Sequence, residues 1–88
     1  MAEVVWSRRA LSDLFAIRAY IGQFSPLAAQ RMARRLRVAG DSLVNHPDRG
    51  RLVTATIREL VIISPYIIRY QVMGDRVTVI RIRHAARS

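Results

Sequence analysis

Fifteen arginines, no lysine and six acids give this 88-residue chain a net charge of +9, which points to nucleic acid or an acidic protein segment as its partner. At 51% hydrophobic it is too apolar to be disordered, and its length suits one domain, expected to cover residues 1–88. Having no cysteine excludes disulfides and thiolate metal sites, and the longest apolar run, Leu60 to Ile63, is far too short to cross a bilayer.

The opening MAEVVWSRR lacks the basic-then-apolar order of a secretion signal, so a cytoplasmic protein without membrane contact is expected. No metal or cofactor is expected. Base composition of the genome can account for the missing lysine, but not for the excess of arginine over acid.

Glu3 to Trp6 is a short apolar run suited to an edge strand, and Ser7 is placed to N-cap a helix. From Arg8 to Ile21 the residues Ala10, Leu11, Leu14, Ile17 and Ile21 recur at helical spacing, with Gly22 as a stop. Ser25-Pro26 starts a second helix, expected to reach about Val44. Its apolar stripe is Ala29, Met32, Ala33, Leu36, Ala39 and Leu43, and Arg31, Arg34, Arg35 and Arg37 fall on the opposite arc. Gly40 lies at the stripe's edge, where another element can come close. Only Gln23 and Phe24 separate the helices, which favours an antiparallel hairpin.

After the polar turn Asp48 to Arg51, the stretch Leu52 to Ala55 offers a short strand, and three β-rich runs follow between Thr56 and Arg87. Gly74-Asp75 suits a two-residue hairpin with positive φ at its first position. The fold class expected is therefore α+β, with a short N-terminal strand and an antiparallel helix hairpin packed on a three- to four-stranded antiparallel sheet. Pairing Met73 with Arg76 puts Tyr66, Ile68, Tyr70, Val72, Val77, Val79, Arg81 and Arg83 on one face. Ile67, Arg69, Gln71, Met73, Arg76, Thr78, Ile80, Ile82 and His84 then fall on the other. One helix pair covers one face, so the second would expose apolar residues among arginines, the usual mark of a binding surface.

The order strand, helix pair, sheet, with W-S-R-R-A-L-S-D-L near the start, H-P-D-R-G-R before the sheet, I-R-E-L, Y-I-I-R-Y-Q-V and the ending I-R-I-R-H-A-A-R, resembles the RelE/ParE superfamily of type II toxin–antitoxin toxins. The resemblance spans nearly the whole chain. It implies one of two actions. ParE-like members inhibit DNA gyrase by trapping its cleaved complex with DNA; RelE-like members cut mRNA in the ribosomal A site. Either is silenced by a cognate antitoxin, for ParE-type modules a ParD-like protein. Its C-terminal segment wraps the toxin and its ribbon-helix-helix part binds operator DNA.

Cutting RNA by 2′-hydroxyl attack needs a base, a cation for the phosphorane and an acid for the leaving oxygen. Arg58, Arg81 or Arg83 could serve the phosphate, and Glu59 and His84 could carry protons; Arg58, Arg83 and His84 form the set for that alternative. By resemblance, Arg58 matches a central-strand arginine of RelE-like nucleases, and His84 sits near their C-terminal histidine. The tail lacks a tyrosine, however, lysine is absent, and R-H-A-A-R looks more like ParE members, for which no catalytic residue is expected. A third class, a non-toxic nucleic-acid-binding module, lacks support from any helix-turn-helix or RNA-recognition motif.

Candidates for contact with antitoxin or target are Arg31, Arg34, Arg35, Arg69, Arg76, Arg81, Tyr66 and Tyr70. Each has a plainer role beside it. The helix arginines suit a solvated face, tyrosines at alternate strand positions usually pack, and a lone histidine at a strand end is more often a structural hydrogen-bonder. Arg58 and Glu59, adjacent on a strand, point to opposite faces.

Overall fold

The computed structural model describes residues 2–86. Arg87, the last residue of the R-H-A-A-R ending, lies outside the described residues. The chain runs β1 (Glu3–Trp6), α1 (Arg8–Gly22), α2 (Pro26–Asp41), β2 (Arg51–Leu52), β3 (Ile57–Ile63), β4 (Tyr66–Met73) and β5 (Arg76–His84), and a 3-10 turn over Ser42–Val44 extends α2. Both helix starts follow from local chemistry. The Ser7 hydroxyl accepts from the Ala10 N–H at 3.0 Å and Ser25 accepts from Ala28 at 3.1 Å, and Pro26 opens α2 without losing a hydrogen bond.

The sheet corrects the expected strand count and polarity. Among the described residues it has five strands in the order β1-β5-β4-β3-β2, and β1 runs parallel to β5 while the other pairs are antiparallel. The physical reason is the helix hairpin itself. It carries the chain from β1 across one face to β2 at the far edge, and the three antiparallel steps from β2 back to β5 then set β5 beside β1 and parallel to it. Gly74 takes φ 57°, as the two-residue connection requires, and Met73 pairs with Arg76.

One irregularity rearranges the faces. Tyr70 pairs with Val79, but Arg69 pairs with Arg81, so Ile80 is an extra residue on β5. This β-bulge shifts the alternation of everything after it. Arg81 and Arg83, expected with Val77 and Val79, instead lie on the face of Arg69. Ile82 and His84 cross to the face of Ile68 and Tyr66. The core then closes cleanly under the helices: Leu36, Leu43, Leu60, Ile68, Tyr70, Val77, Val79 and Ile82 are all buried there, with Ala10 and Ala39 between the layers. The opposite face keeps the arginines, and Ile67 and Met73 remain among them, so the expectation of apolar residues on both faces holds in reduced form.

Past Trp6, β1 no longer covers β5, and α1 takes over the exposed edge. The Ser7 hydroxyl donates to Ile80 O at 2.7 Å, and Asp13 Oδ2 accepts the Ile82 N–H at 2.9 Å. These two side chains satisfy backbone groups that a neighbouring strand would otherwise engage. Gly40 has the close approach its place in the stripe predicts. Trp6 lies directly over it, held by Nε1–H donating to Asp41 Oδ1 at 2.9 Å and by the Arg37 guanidinium 5.0 Å from its ring centroid.

Candidate functional site

Four strands place a row of charged side chains across the open face. Arg81 on β5 faces Arg69 on β4, Arg69 faces Glu59 on β3, and Glu59 faces Arg51 on β2; Arg83 stands one position along β5, opposite Ile67. Glu59 is only 2% exposed although no helix or strand layer among the described residues packs on this face, and three guanidinium groups lie against its carboxylate. Arg69 donates from Nε and Nη2 to Oε2 at 3.1 and 2.9 Å. Arg83 Nη2 reaches the same oxygen at 3.3 Å, and Arg51 Nη2 reaches Oε1 at 3.2 Å. Burial pushes the Glu59 carboxyl up, but the hydrogen bonds from Arg69, Arg51 and Arg83 outweigh it and hold the group below its ordinary value. Glu59 is thus an ionised counter-ion and a poor proton acceptor.

Arg81 takes no part in that cluster. Its Nε is buried and has no hydrogen-bond partner among the described residues. Arg76, further along the same face, pairs with Glu3 at 3.3 Å.

The turn that delivers Arg51 is anchored from below. The Tyr70 hydroxyl donates to Pro47 O at 2.8 Å and accepts the Gly50 N–H at 2.7 Å. Arg58, on the helix-side face at the sheet edge, donates from Nη1 to Gly50 O at 2.7 Å and to Asp48 O at 3.2 Å. A Cβ at Gly50 would lie 2.8 Å from both Glu59 O and the Tyr70 hydroxyl, so the close approach requires glycine.

The candidates Arg58, Arg83 and His84 do not converge. Arg83 is on the open face, whereas Arg58 and His84 are on the helix side, at different places. The His84 ring meets Tyr66 edge-on at 5.7 Å, and its Nδ1 accepts the Ala86 N–H at 3.1 Å. It lines a groove of about 410 Å³ with Asp13, Ile17, Tyr20, Tyr66 and Ile82. The groove's carboxylate, Asp13, pairs with Arg9 as well as with the Ile82 amide. An apolar wall with a carboxylate in it does not suit a phosphate. Tyr66 and Tyr70, candidates for contact with a partner, are buried under the helices.

A second surface lies on the helix hairpin. Phe15, Tyr20, Phe24 and Leu27 are exposed, with Tyr20 and Phe24 in edge contact at 5.6 Å, beside a shallow groove of about 390 Å³ formed with Arg18, Ala19, Gly22 and Pro26. Arg31, Arg34 and Arg35 lie on α2, where the helical pattern puts them, and all three are exposed. Sequence patterns single out neither Arg51 nor Asp13. The signal for Arg51 is its place in the polar turn before β3.

Comparison with known proteins agrees with this architecture. Residues 4–88 match the family described as the ParE toxin of the type II toxin–antitoxin system parDE. The chain is 68% identical to "Toxin RelE2" of Caulobacter vibrioides over 99% of each protein, and 40% identical to "Toxin RelE1" of the same organism over 92% of this chain and 90% of that one. Its fold superposes on a chain of the solved "Chromosomal ParDE TA system from P. aeruginosa" with a TM-score of 0.81, at 25% identity and 96% coverage of each. No helix among the described residues is long and apolar enough to cross a membrane. The chain belongs to the ParE toxin family of type II toxin–antitoxin systems.

Proposed function

We propose that this toxin arrests growth by binding DNA gyrase and stabilising its cleaved complex with DNA, without catalysis of its own. The observation that carries this reading is the separation of the acid–base groups. Glu59 is held ionised by three arginines on one face, while His84 sits on the other, with its Nδ1 engaged by Ala86. General acid–base cleavage needs both groups within reach of one phosphate. A cognate antitoxin neutralises the toxin, and the exposed aromatic and apolar side chains of the helix hairpin supply a surface for an amphipathic segment of it. A ParD-like antitoxin would bring operator DNA to the complex through its ribbon-helix-helix part. The test is a supercoiling assay with the purified chain, gyrase, ATP and relaxed plasmid. Inhibition with linear DNA accumulating, relieved by antitoxin, is expected; full supercoiling at a large excess of toxin would sink the proposal.

A ribosome-dependent mRNA endonuclease is the second reading. Its support is the arginine row on the open face, which could engage a phosphate, together with the RelE names of the curated relatives. It would require catalysis without Glu59 and His84 acting together. Cleavage of mRNA on purified ribosomes, lost in Arg83→Ala, is its signature.

A further inference from the structure

The row Arg51, Glu59, Arg69 and Arg81, with Arg83 beside it, holds four guanidinium charges against one carboxylate, a local charge of +3. We propose that Glu59 is the built-in occupant of an anion site, and that a nucleic-acid phosphodiester enters this site at Arg81 and displaces the Glu59 carboxylate from Arg69 and Arg83. The site and its gating belong to the open face alone and stand whichever target the toxin acts on.

Three observations lead there. Glu59 is 2% exposed, yet its three partners Arg51, Arg69 and Arg83 are themselves 69, 37 and 21% exposed, so the guanidinium groups that hold it can also be met by an anion from solvent. Its two oxygens already serve three guanidinium groups, with Oε2 accepting three hydrogen bonds. Arg81, directly across from Arg69, is left over, with its Nε buried and unpartnered among the described residues. A buried donor without an acceptor is costly, and it marks the place where the protein's own anion falls short.

The chemistry favours phosphodiester over a further carboxylate. An acidic side chain would offer the two oxygens that Glu59 already provides, at a single point. A nucleic-acid strand brings successive charges along the row and gains from counterion release each time a guanidinium replaces a cation. The face offers no aromatic platform among the described residues, since Tyr66 and Tyr70 are on the other side, so the contact expected is to the backbone and indifferent to base sequence. Gln71 and Thr78, paired across β4 and β5 in the adjoining row, add neutral hydrogen-bonding groups beside the charges.

Removing any acid raises oligonucleotide affinity modestly through the added net charge, so the reference is Asp48→Asn, which neutralises an exposed carboxylate away from the row. Removing an internal competitor raises affinity further. Fluorescence anisotropy would compare the purified full chain with Glu59→Gln, Asp48→Asn and Arg81→Gln on a labelled single-stranded DNA, an RNA of the same sequence and a polyglutamate peptide. Glu59→Gln should bind the oligonucleotides about tenfold tighter than the parent and clearly tighter than Asp48→Asn, with a salt slope steeper by about one counterion, and Arg81→Gln should bind them more weakly than the parent; a gain no larger than that of Asp48→Asn would overturn the proposal. A larger gain on DNA or on RNA identifies the natural source of the phosphodiester. Unchanged or weaker oligonucleotide binding by folded Glu59→Gln would overturn the proposal, as would a gain confined to polyglutamate. If Glu59→Gln loses its fold, inorganic pyrophosphate should restore a cooperative thermal transition where sodium chloride of equal ionic strength does not; equal failure of both salts would overturn it too.

Discussion

Replacing Tyr70 with phenylalanine removes one oxygen and leaves the buried ring in place, so it isolates the hydroxyl that pins the turn carrying Arg51. That hydroxyl serves two backbone groups, Pro47 O at 2.8 Å and the Gly50 N–H at 2.7 Å. An intramolecular hydrogen bond is worth about 1 kcal/mol net, and a buried N–H left without an acceptor costs about 1–3 kcal/mol. Arg58 still holds Gly50 O and Asp48 O from the other side, so the turn keeps part of its anchorage. A loss of about 2 kcal/mol is therefore expected, which for a chain of this size lowers Tm by about 8–16 °C. Thermal unfolding followed by far-UV circular dichroism reads the change, and amide exchange at Gly50 localises it. Burial also holds the Tyr70 phenol above its ordinary value of 10.0. Raising a phenol's pKa means that the folded state disfavours the phenolate. The folded chain therefore loses stability relative to the unfolded one as pH rises through 10.0 toward the raised value, and the phenylalanine variant should lack that part of the alkaline decline. A Tm within about 2 °C of the parent, with Gly50 exchange unchanged, would refute the assignment of this hydroxyl as the anchor.

Gly40→Ala should cost about 1–3 kcal/mol and shift the Trp6 emission, because the new methyl would overlap Trp6 Cζ2 and lie 2.9 Å from Cη2. Denaturant melts monitored by tryptophan fluorescence measure both effects together. The Glu59 carboxyl titrates below the ordinary 4.5, so its contribution to stability is complete above that pH and disappears as pH falls through the depressed value. Glu59→Gln should accordingly be less stable at neutral pH and show a shallower acid limb in a series of melts from about pH 7 to about pH 2. His84→Ala should leave growth arrest within about twofold of the parent in an induction assay, whereas loss of a true general acid would cost about a hundredfold or more.

Local chemistry is the legible part of this fold. The caps at Ser7 and Ser25, the proline at the start of α2, the glycine hairpin at Gly74 and the close approach at Gly40 are each found where the residues put them. The Ile80 bulge is different. Reading V-T-V-I-R-I-R as strict alternation keeps Arg81 and Arg83 with Val77 and Val79, yet the structure separates them. The trace it leaves is a phase slip: the apolar series Val77, Val79 resumes at Ile82, three positions on instead of two. The parallel pairing of β1 with β5 is a long-range outcome of the helix crossover to β2 and the meander that returns from it, and no residue of Glu3–Trp6 encodes it.

The candidate site is legible residue by residue but not as an assembly. Arg69, Arg81 and Arg83 are visible as charged positions, and Glu59 as an isolated acid next to Arg58. Their meeting depends on three registers and one bulge, with Arg51 arriving from a two-residue strand. In the sequence His84 is equally available. The same bulge that gathers the arginines sends it to the helix side, against Tyr66.

Gyrase and the ribosome can be compared as targets in a single culture. The chain would be induced in cells without its antitoxin, and plasmid topology, chromosomal breaks and mRNA 5′ ends would be read from the same samples. If gyrase is the target, negative supercoiling is lost and DNA breaks accumulate while mRNA stays intact. Intact, normally supercoiled DNA with mRNA cut at ribosome-occupied positions would contradict the gyrase mechanism outright.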